Sequence, residues 1–257
     1  MKTNKNSSFF GRPGRLVFIL SAFIVATLHL SMKVADKHGD DRTESAPVTS
    51  LPAPSTSRIS ATLYDSLSLS SLGMSREAFD YAVAGYEKLR AAGKLRNESI
   101  LTVADFSLPS TQKRLFVIDV DNNQVLFHTY VAHGRNSGGE MAQSFSNTMS
   151  SFKSSPGFYV TGDTYIGGNG YSLRLHGQEK GINDRALERA IVMHGADYVS
   201  AATIKSLGYL GRSYGCPAVS HAEARPIINR IKAGTCLFIY SPSVSYVKHS
   251  KMLGVLI

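Results

Sequence analysis

The sequence predicts a mainly β domain with a few peripheral helices. Short β-branched and aromatic runs recur at close intervals after residue 100, polar turn residues separate them, and helical periodicity is confined to three segments. The first helical segment opens at Ser75, a suitable N-cap, with Glu77 placed to favour the first turn. Phe79, Ala82, Val83, Tyr86 and Leu89 then recur three and four apart until Gly93. Beyond it Ile100 to Phe106, Arg114 to Val120 and Gln124 to Val131 read as strands, with Asp121-Asn122-Asn123 as the hairpin turn between the last two. Further strands are expected at Gly157 to Gly162, Ser172 to His176, Ala190 to His194 and Cys236 to Ser241. Helices are expected within Ser200 to Leu207 and from Ala222 to Lys232, with Pro226 in the first turns of the latter, where a missing N–H costs least. The polar segment Gly134 to Ser155, rich in Gly, Ser and Asn, reads either as a substrate loop or as a simply mobile connection.

Ahead of this domain, Lys2, Lys5, Arg12 and Arg15 precede an apolar run from Leu16 to Leu30. That is the n-region and h-region of an export signal, and about 15 helical residues rise only ~22 Å against a hydrocarbon core of ~30 Å. Residues 1–35 therefore read as a cleaved signal peptide or a short signal anchor. The positive flank places the remainder outside the cytoplasm, in the periplasm or cell envelope, with membrane contact only through the leader. Residues 36–60, rich in Ser, Thr, Pro and Asp, read as a flexible linker, and residues 61–257 as the folded domain.

Composition narrows the function. A 43% hydrophobic share with 24 aromatic residues and 18% charged residues excludes a disordered chain, a coiled coil or a collagen-like repeat. Two cysteines, Cys216 and Cys236, exclude a disulfide-dense scaffold and a four-cysteine zinc module. Of the net charge of +9 the leader carries about half; the domain's remaining excess suits an acidic polymer or membrane surface, and no basic run with interleaved aromatics argues for nucleic acid. His128 and His133 lack a carboxylate at metal-motif spacing, so zinc is not expected.

The densest chemical signal lies between Leu173 and Val219. His194-Gly195 closes an apolar run, and Ser213-Tyr214-Gly215-Cys216 follows, the cysteine 22 residues after the histidine. A thiol becomes a nucleophile when an imidazole takes its proton and a third group fixes the imidazole tautomer. Backbone N–H groups of Tyr214, Gly215 and Cys216 are candidates for an oxyanion hole. The alternative is a Cys216–Cys236 disulfide in an exported protein. His176, in the same strand-then-His-Gly setting, is a second candidate base or a substrate contact. Glu179, Asn183, Asp184 and Arg185 read as a polar network beside the cleft or as caps of a short helix.

These residues carry a family resemblance. His-Gly at a strand end, followed by Ser-Tyr-Gly-Cys-Pro-Ala and preceded by Glu179-Lys180-Gly181-Ile182-Asn183-Asp184, is similar to the bacterial L,D-transpeptidases. It looks like a divergent branch, the murein L,D-transpeptidase catalytic domains, with similarity from about Leu72 to Val247. Tyr214 stands where the main family has His, and Pro217-Ala218 where an aliphatic residue and Arg are usual.

The resemblance implies an L,D-transpeptidase-like β-sandwich. It also implies Cys216 as nucleophile, His194 as general base, the Gly195 carbonyl as orienter of the imidazole, and Ser213 at the Ser/Thr position. The implied chemistry is acyl transfer on peptidoglycan stem peptides through a thioester, releasing D-Ala and forming 3-3 cross-links, with no metal or cofactor. Resolution of the same thioester by water would make an L,D-carboxypeptidase or endopeptidase. A disulfide would leave a wall-binding module without activity. Because the family Arg after the cysteine is missing, Arg212, Arg174 or Arg185 is expected to hold a substrate carboxylate, with His176 and Asn183 as further substrate contacts.

Overall fold

The computed structural model describes residues 58–253; the leader and most of the linker lie outside the described residues. Within them, five helices surround one eight-stranded mixed sheet. In chain order the elements are α1 (Arg58–Ser66), α2 (Arg76–Ala91), β1 (Ile100–Asp105), β2 (Leu115–Asp119), β3 (Gln124–Thr129), β4 (Gly157–Gly167) and β5 (Gly170–Gly177). β6 (Val192–Gly195), α3 (Ala201–Leu207), β7 (Ala218–Val219), α4 (His221–Ile231), β8 (Cys236–Tyr240) and α5 (Val244–His249) follow.

The strand order is β3-β2-β1-β8-β4-β5-β6-β7. Chain leaving the β3 edge bridges back to the β7 side, through Ala132 to Ala218 and Gly134 to Ser213, so the sheet curls toward a barrel. Closure of this kind satisfies edges that would otherwise expose unpaired backbone.

Period-two alternation along the central strands sends successive side chains to two cores. Leu101, Val103, Phe116, Ile118, Phe158, Phe238 and Tyr240 meet Phe79, Tyr81, Ala82 and Val83 of α2 and Tyr246 and Val247 of α5. Ile100, Ala104, Leu115, Val117, Tyr159, Leu237 and Ile239 point the other way, into the concave side, where α4 contributes Ile227, Ile228 and Ile231. β1 and β8 are buried along their whole length, as expected of strands covered on both faces.

Ser75 caps α2, its Oγ accepting from the Ala78 N–H at 3.2 Å, and Ser200 caps α3 through the Thr203 N–H at 3.2 Å. Three features differ from the sequence expectation. The end of the expected linker is helical, since α1 begins at Arg58 and Ser60 Oγ donates to Asp80 Oδ1 at 2.5 Å. β7 is only two residues long and α5 six, too short for any periodicity to announce them. Pro226 sits in the second turn of α4, which starts at His221, so it removes an intrahelical hydrogen bond instead of occupying a free-donor position.

α2 lies so close on β4 that a Cβ at Gly85 would stand 2.0 Å from Phe158 Cζ. Phe158 has nowhere to go, being stacked on Phe238 at 4.1 Å between ring centres. Gly85→Ala is therefore expected to destabilise the domain by about 2 kcal/mol, overpacking outweighing a helix-propensity gain of about 1 kcal/mol. Chemical denaturation measures this, and a stabilised variant would show that α2 does not press on β4.

Candidate active site

The sheet assembles the site by parallel pairing. β7 lies beside β6 with His194 opposite Ala218 and Gly195 opposite Val219, which brings Cys216, two residues before Ala218, back to the histidine strand. Cys216 and His194 line one cleft of about 660 Å³ together with Arg135, Phe152, Arg189, Tyr198, Arg212, Ser213 and Tyr214. Both side chains are recessed, Cys216 being 9% and His194 4% exposed.

His194 Nδ1 is 2.8 Å from the Gly195 carbonyl oxygen. A carbonyl has no proton to give, so Nδ1 carries the hydrogen and Nε2 keeps its lone pair. Burial lowers the His194 pKa below its ordinary 6.5, outweighing the opposing Gly195 hydrogen bond, with His221 lowering it further. The Cys216 thiol receives the Val192 N–H at 3.5 Å and directs its own hydrogen to Ala190 O at 3.7 Å. Burial raises its pKa above the ordinary 9, while the Val192 N–H and the Arg189 charge pull the other way. Both directions favour a thiol and a neutral imidazole at neutral pH.

Ser213 shapes the turn that presents the thiol. Its Oγ donates to Cys216 O at 2.6 Å and accepts the Gly215 N–H at 3.0 Å. This corrects one expectation, because a Gly215 N–H committed to Ser213 is not available to an oxyanion. The N–H groups of Tyr214 and Cys216 have no such partner among the described residues.

Neighbouring segments hold the turn in turn. Ser213 N donates to His133 O at 3.0 Å, and Arg114 Nη2 donates to His133 Nδ1 at 2.8 Å. Ser154 Oγ accepts the Gly134 N–H and donates to Gly215 O, both at 3.0 Å. Gly215 has φ +125°, and a Cβ there would meet Lys153 O at 2.7 Å, so glycine is required both conformationally and sterically.

The segment Gly134 to Ser155 is pinned across the cleft by Arg189. One Nη donates to Ser146 O and Ser155 Oγ at 2.8 and 2.5 Å, the other to Ser151 Oγ and Lys153 O at 3.1 and 2.7 Å. Arg189, Arg135, Arg114 and Ser154 were not singled out from sequence as site residues, although Arg189 stands in the Leu173 to Val219 run and Arg135 and Ser154 stand in the segment read as a substrate loop or a mobile connection.

Of the five expected substrate contacts, only Arg212 lines the cleft. Asn183 is fully buried and bonds the Glu179 N–H and the carbonyls of Pro156 and Phe158, so it braces the β4–β5 end of the sheet and touches no solvent. Arg185 pairs with Glu188 at 2.9 Å on the surface. Arg174 lies 4.3 Å over the Tyr165 ring, and His176 lines a separate cavity with Lys94 and Arg96. The disulfide alternative is not what the structure holds: Cys216 and Cys236 are both free, packed in different cores, with Cys236 fixed in β8 between β1 and β4. His128 stacks on Phe116 at 4.4 Å, its Nε2 bonding Lys113 O at 3.1 Å.

The fold is a near-closed β domain whose cleft holds a buried thiol beside an imidazole bonded to the Gly195 carbonyl. More particularly, the chain belongs to the L,D-transpeptidase catalytic domain family, whose sequence profile matches residues 70–240.

Among solved structures, it is similar to an L,D-transpeptidase from Mycobacterium smegmatis at 15% identity, TM-score 0.35, covering 56% of this chain and 59% of that one. It is also similar to an L,D-transpeptidase from Stackebrandtia nassauensis at 13% identity, TM-score 0.33, covering 70% and 75%. A third is the helical cell shape determining protein Pgp2 from Campylobacter jejuni at 11% identity, TM-score 0.35, covering 55% and 47%. The chain thus spans 59% of the length of the first of these. No curated protein matches the chain.

Proposed function

We propose that the protein is a cysteine-dependent acyltransferase of the peptidoglycan, a murein L,D-transpeptidase of the branch with Ser-Tyr-Gly-Cys-Pro, exported and held near the membrane by its leader. One observation supports this above the rest: His194 Nδ1 is committed to Gly195 O, leaving Nε2 as a base in the cleft that contains the Cys216 thiol.

In this reading His194 Nε2 takes the thiol proton as Sγ attacks the carbonyl joining the third stem residue to a terminal D-Ala. Sγ–C forms, and the oxyanion is received by the N–H groups of Tyr214 and Cys216. Collapse breaks the C–N bond, the imidazolium returns its proton to the leaving amine, and a thioester remains. An amine of a second stem then attacks, loses its proton to His194 and displaces Sγ, giving a 3-3 cross-link and the free thiol. Water at that step would give the carboxypeptidase or endopeptidase outcome.

The test is intact mass spectrometry after incubation with a disaccharide-tetrapeptide. The expected result is an adduct on Cys216 equal to the donor minus D-Ala, resolved faster by an added amine than by water. Absence of any adduct would overturn the acyl-enzyme reading, and resolution by water alone would move the assignment to a hydrolase.

A further inference from the structure

Among the described residues, three guanidiniums, those of Arg135, Arg189 and Arg212, line the Cys216 cleft, and no carboxylate does. A concave surface with that charge selects an anionic ligand. The three are not equally free to meet one. Arg189 spends both Nη atoms on the Gly134 to Ser155 segment. Arg212 Nη1 donates to Gly138 O at 3.0 Å and Arg135 O at 3.4 Å, and its guanidinium lies 5.1 Å over the Tyr209 ring. Among the described residues, the Arg135 guanidinium has only ring contacts, 4.4 Å from the centre of Phe152 and 4.8 Å from that of Tyr214. A guanidinium held by aromatic faces is fixed in place yet keeps its N–H fork, which matches a carboxylate bidentately.

The clamp is built on a close-packed backbone node. A Cβ at Gly134 would stand 2.6 Å from Phe152 O and 2.9 Å from Gly215 Cα. Arg135, Phe152 and Tyr214 are each at or beside one of those three meeting points, and the two rings lie 4.8 Å apart. Phe152 adopts φ +53°, a left-handed conformation costly for an aromatic residue, while its carbonyl accepts the Asn136 N–H at 3.1 Å. Tyr214, 64% exposed and two residues from the nucleophile, carries the clamp to the cleft.

We infer that Arg135, held against Phe152 and Tyr214, docks a carboxylate that the substrate bears beside the scissile carbonyl. This rests on Cys216 being the reacting group. On a stem peptide the terminal carboxylate of the leaving residue stands nearest that carbonyl; where the diamino acid carries a free carboxylate at the far end of its side chain, that one is the second candidate.

The experiment is calorimetric titration of the full-length protein carrying Cys216→Ser, with and without R135A. The ligands are three synthetic stem tetrapeptides: the free acid, its C-terminal carboxamide, and the form amidated on the diamino acid. R135A is expected to weaken the free acid by about ten- to a hundred-fold, the effect of losing a charge-assisted bidentate contact. The amide lacking the docked carboxylate should change less than about two-fold with R135A, and so identifies which carboxylate docks.

R135K should recover only part of the affinity, keeping the charge but not the fork. Equal weakening of all three ligands, no weakening, or no measurable binding of the free acid would overturn the assignment. Because Cys216 is Ser throughout, Arg135-dependent binding alongside a wild-type protein that forms no acyl adduct would sink the transferase reading and leave the docking role standing.

Discussion

Cys216→Ser is expected to abolish the covalent adduct and to lower turnover by about 10⁴-fold or more, because loss of a nucleophile leaves only binding and oxyanion contacts. The fold should survive. Sγ makes two long contacts, to Val192 N and Ala190 O, and a hydroxyl fits the same space. Turnover by the variant comparable to wild type, measured by released D-Ala, would remove Cys216 from the chemistry. Cys236 offers no substitute: it is fully buried in β8, and burial pushes its thiol far above the ordinary 9.

His194→Ala is expected to cost about 10²- to 10⁴-fold in kcat/KM, the usual range for a general base. The more telling measurement is the pH profile. Protonating His194 removes the base, and burial holds its pKa below 6.5, so wild-type activity should persist on acidification and fall with a midpoint under 6.5. In the variant the thiol must ionise unaided. Its pKa lies above 9, so the residual rate should climb through the alkaline range where the wild-type rate is flat. A wild-type midpoint above 7 would mean that His194 rests protonated at neutral pH, against the lowering by burial, and is not a neutral base in the resting site. His176→Ala, in a different cavity, should retain most of the activity.

Much of the framework was legible because it depends on local pattern. The α2 stripe from Phe79 to Leu89, the Ser75 and Ser200 caps and the doubly buried runs at β1, β2 and β8 are properties of neighbouring residues, which periodicity and capping chemistry report directly. Where local pattern is thin, reading failed. The two residues of β7 and the six of α5 lack the length to show a period, and the start of α1 lies in a Ser-rich stretch that resembles the linker.

The substrate-binding residues were the least legible. Asn183, Arg185, Arg174 and His176 were chosen for residue type and proximity in sequence, but strand pairing turns each elsewhere: into the core, onto the surface, against Tyr165, or into another cavity. Arg135 lies in the segment that sequence reads as a substrate loop or a mobile connection, but nothing local marks it among that segment's polar residues.

What the sequence by itself determined is the inventory and the local conformations: one thiol followed by Pro and preceded by Gly, a His-Gly at a strand end, and turns and helices written in short-range chemistry. Only the tertiary structure decided which groups meet. The 22 residues between His194 and Cys216 are closed by parallel pairing of β6 with β7, and the Gly215 N–H is diverted to Ser213. The Arg135 guanidinium meets the rings of Phe152 and Tyr214 where Gly134, Phe152 and Gly215 converge. Short-range terms act between neighbours along the chain, whereas juxtaposition across a sheet is a sum of many weak long-range contacts that no single stretch of sequence contains.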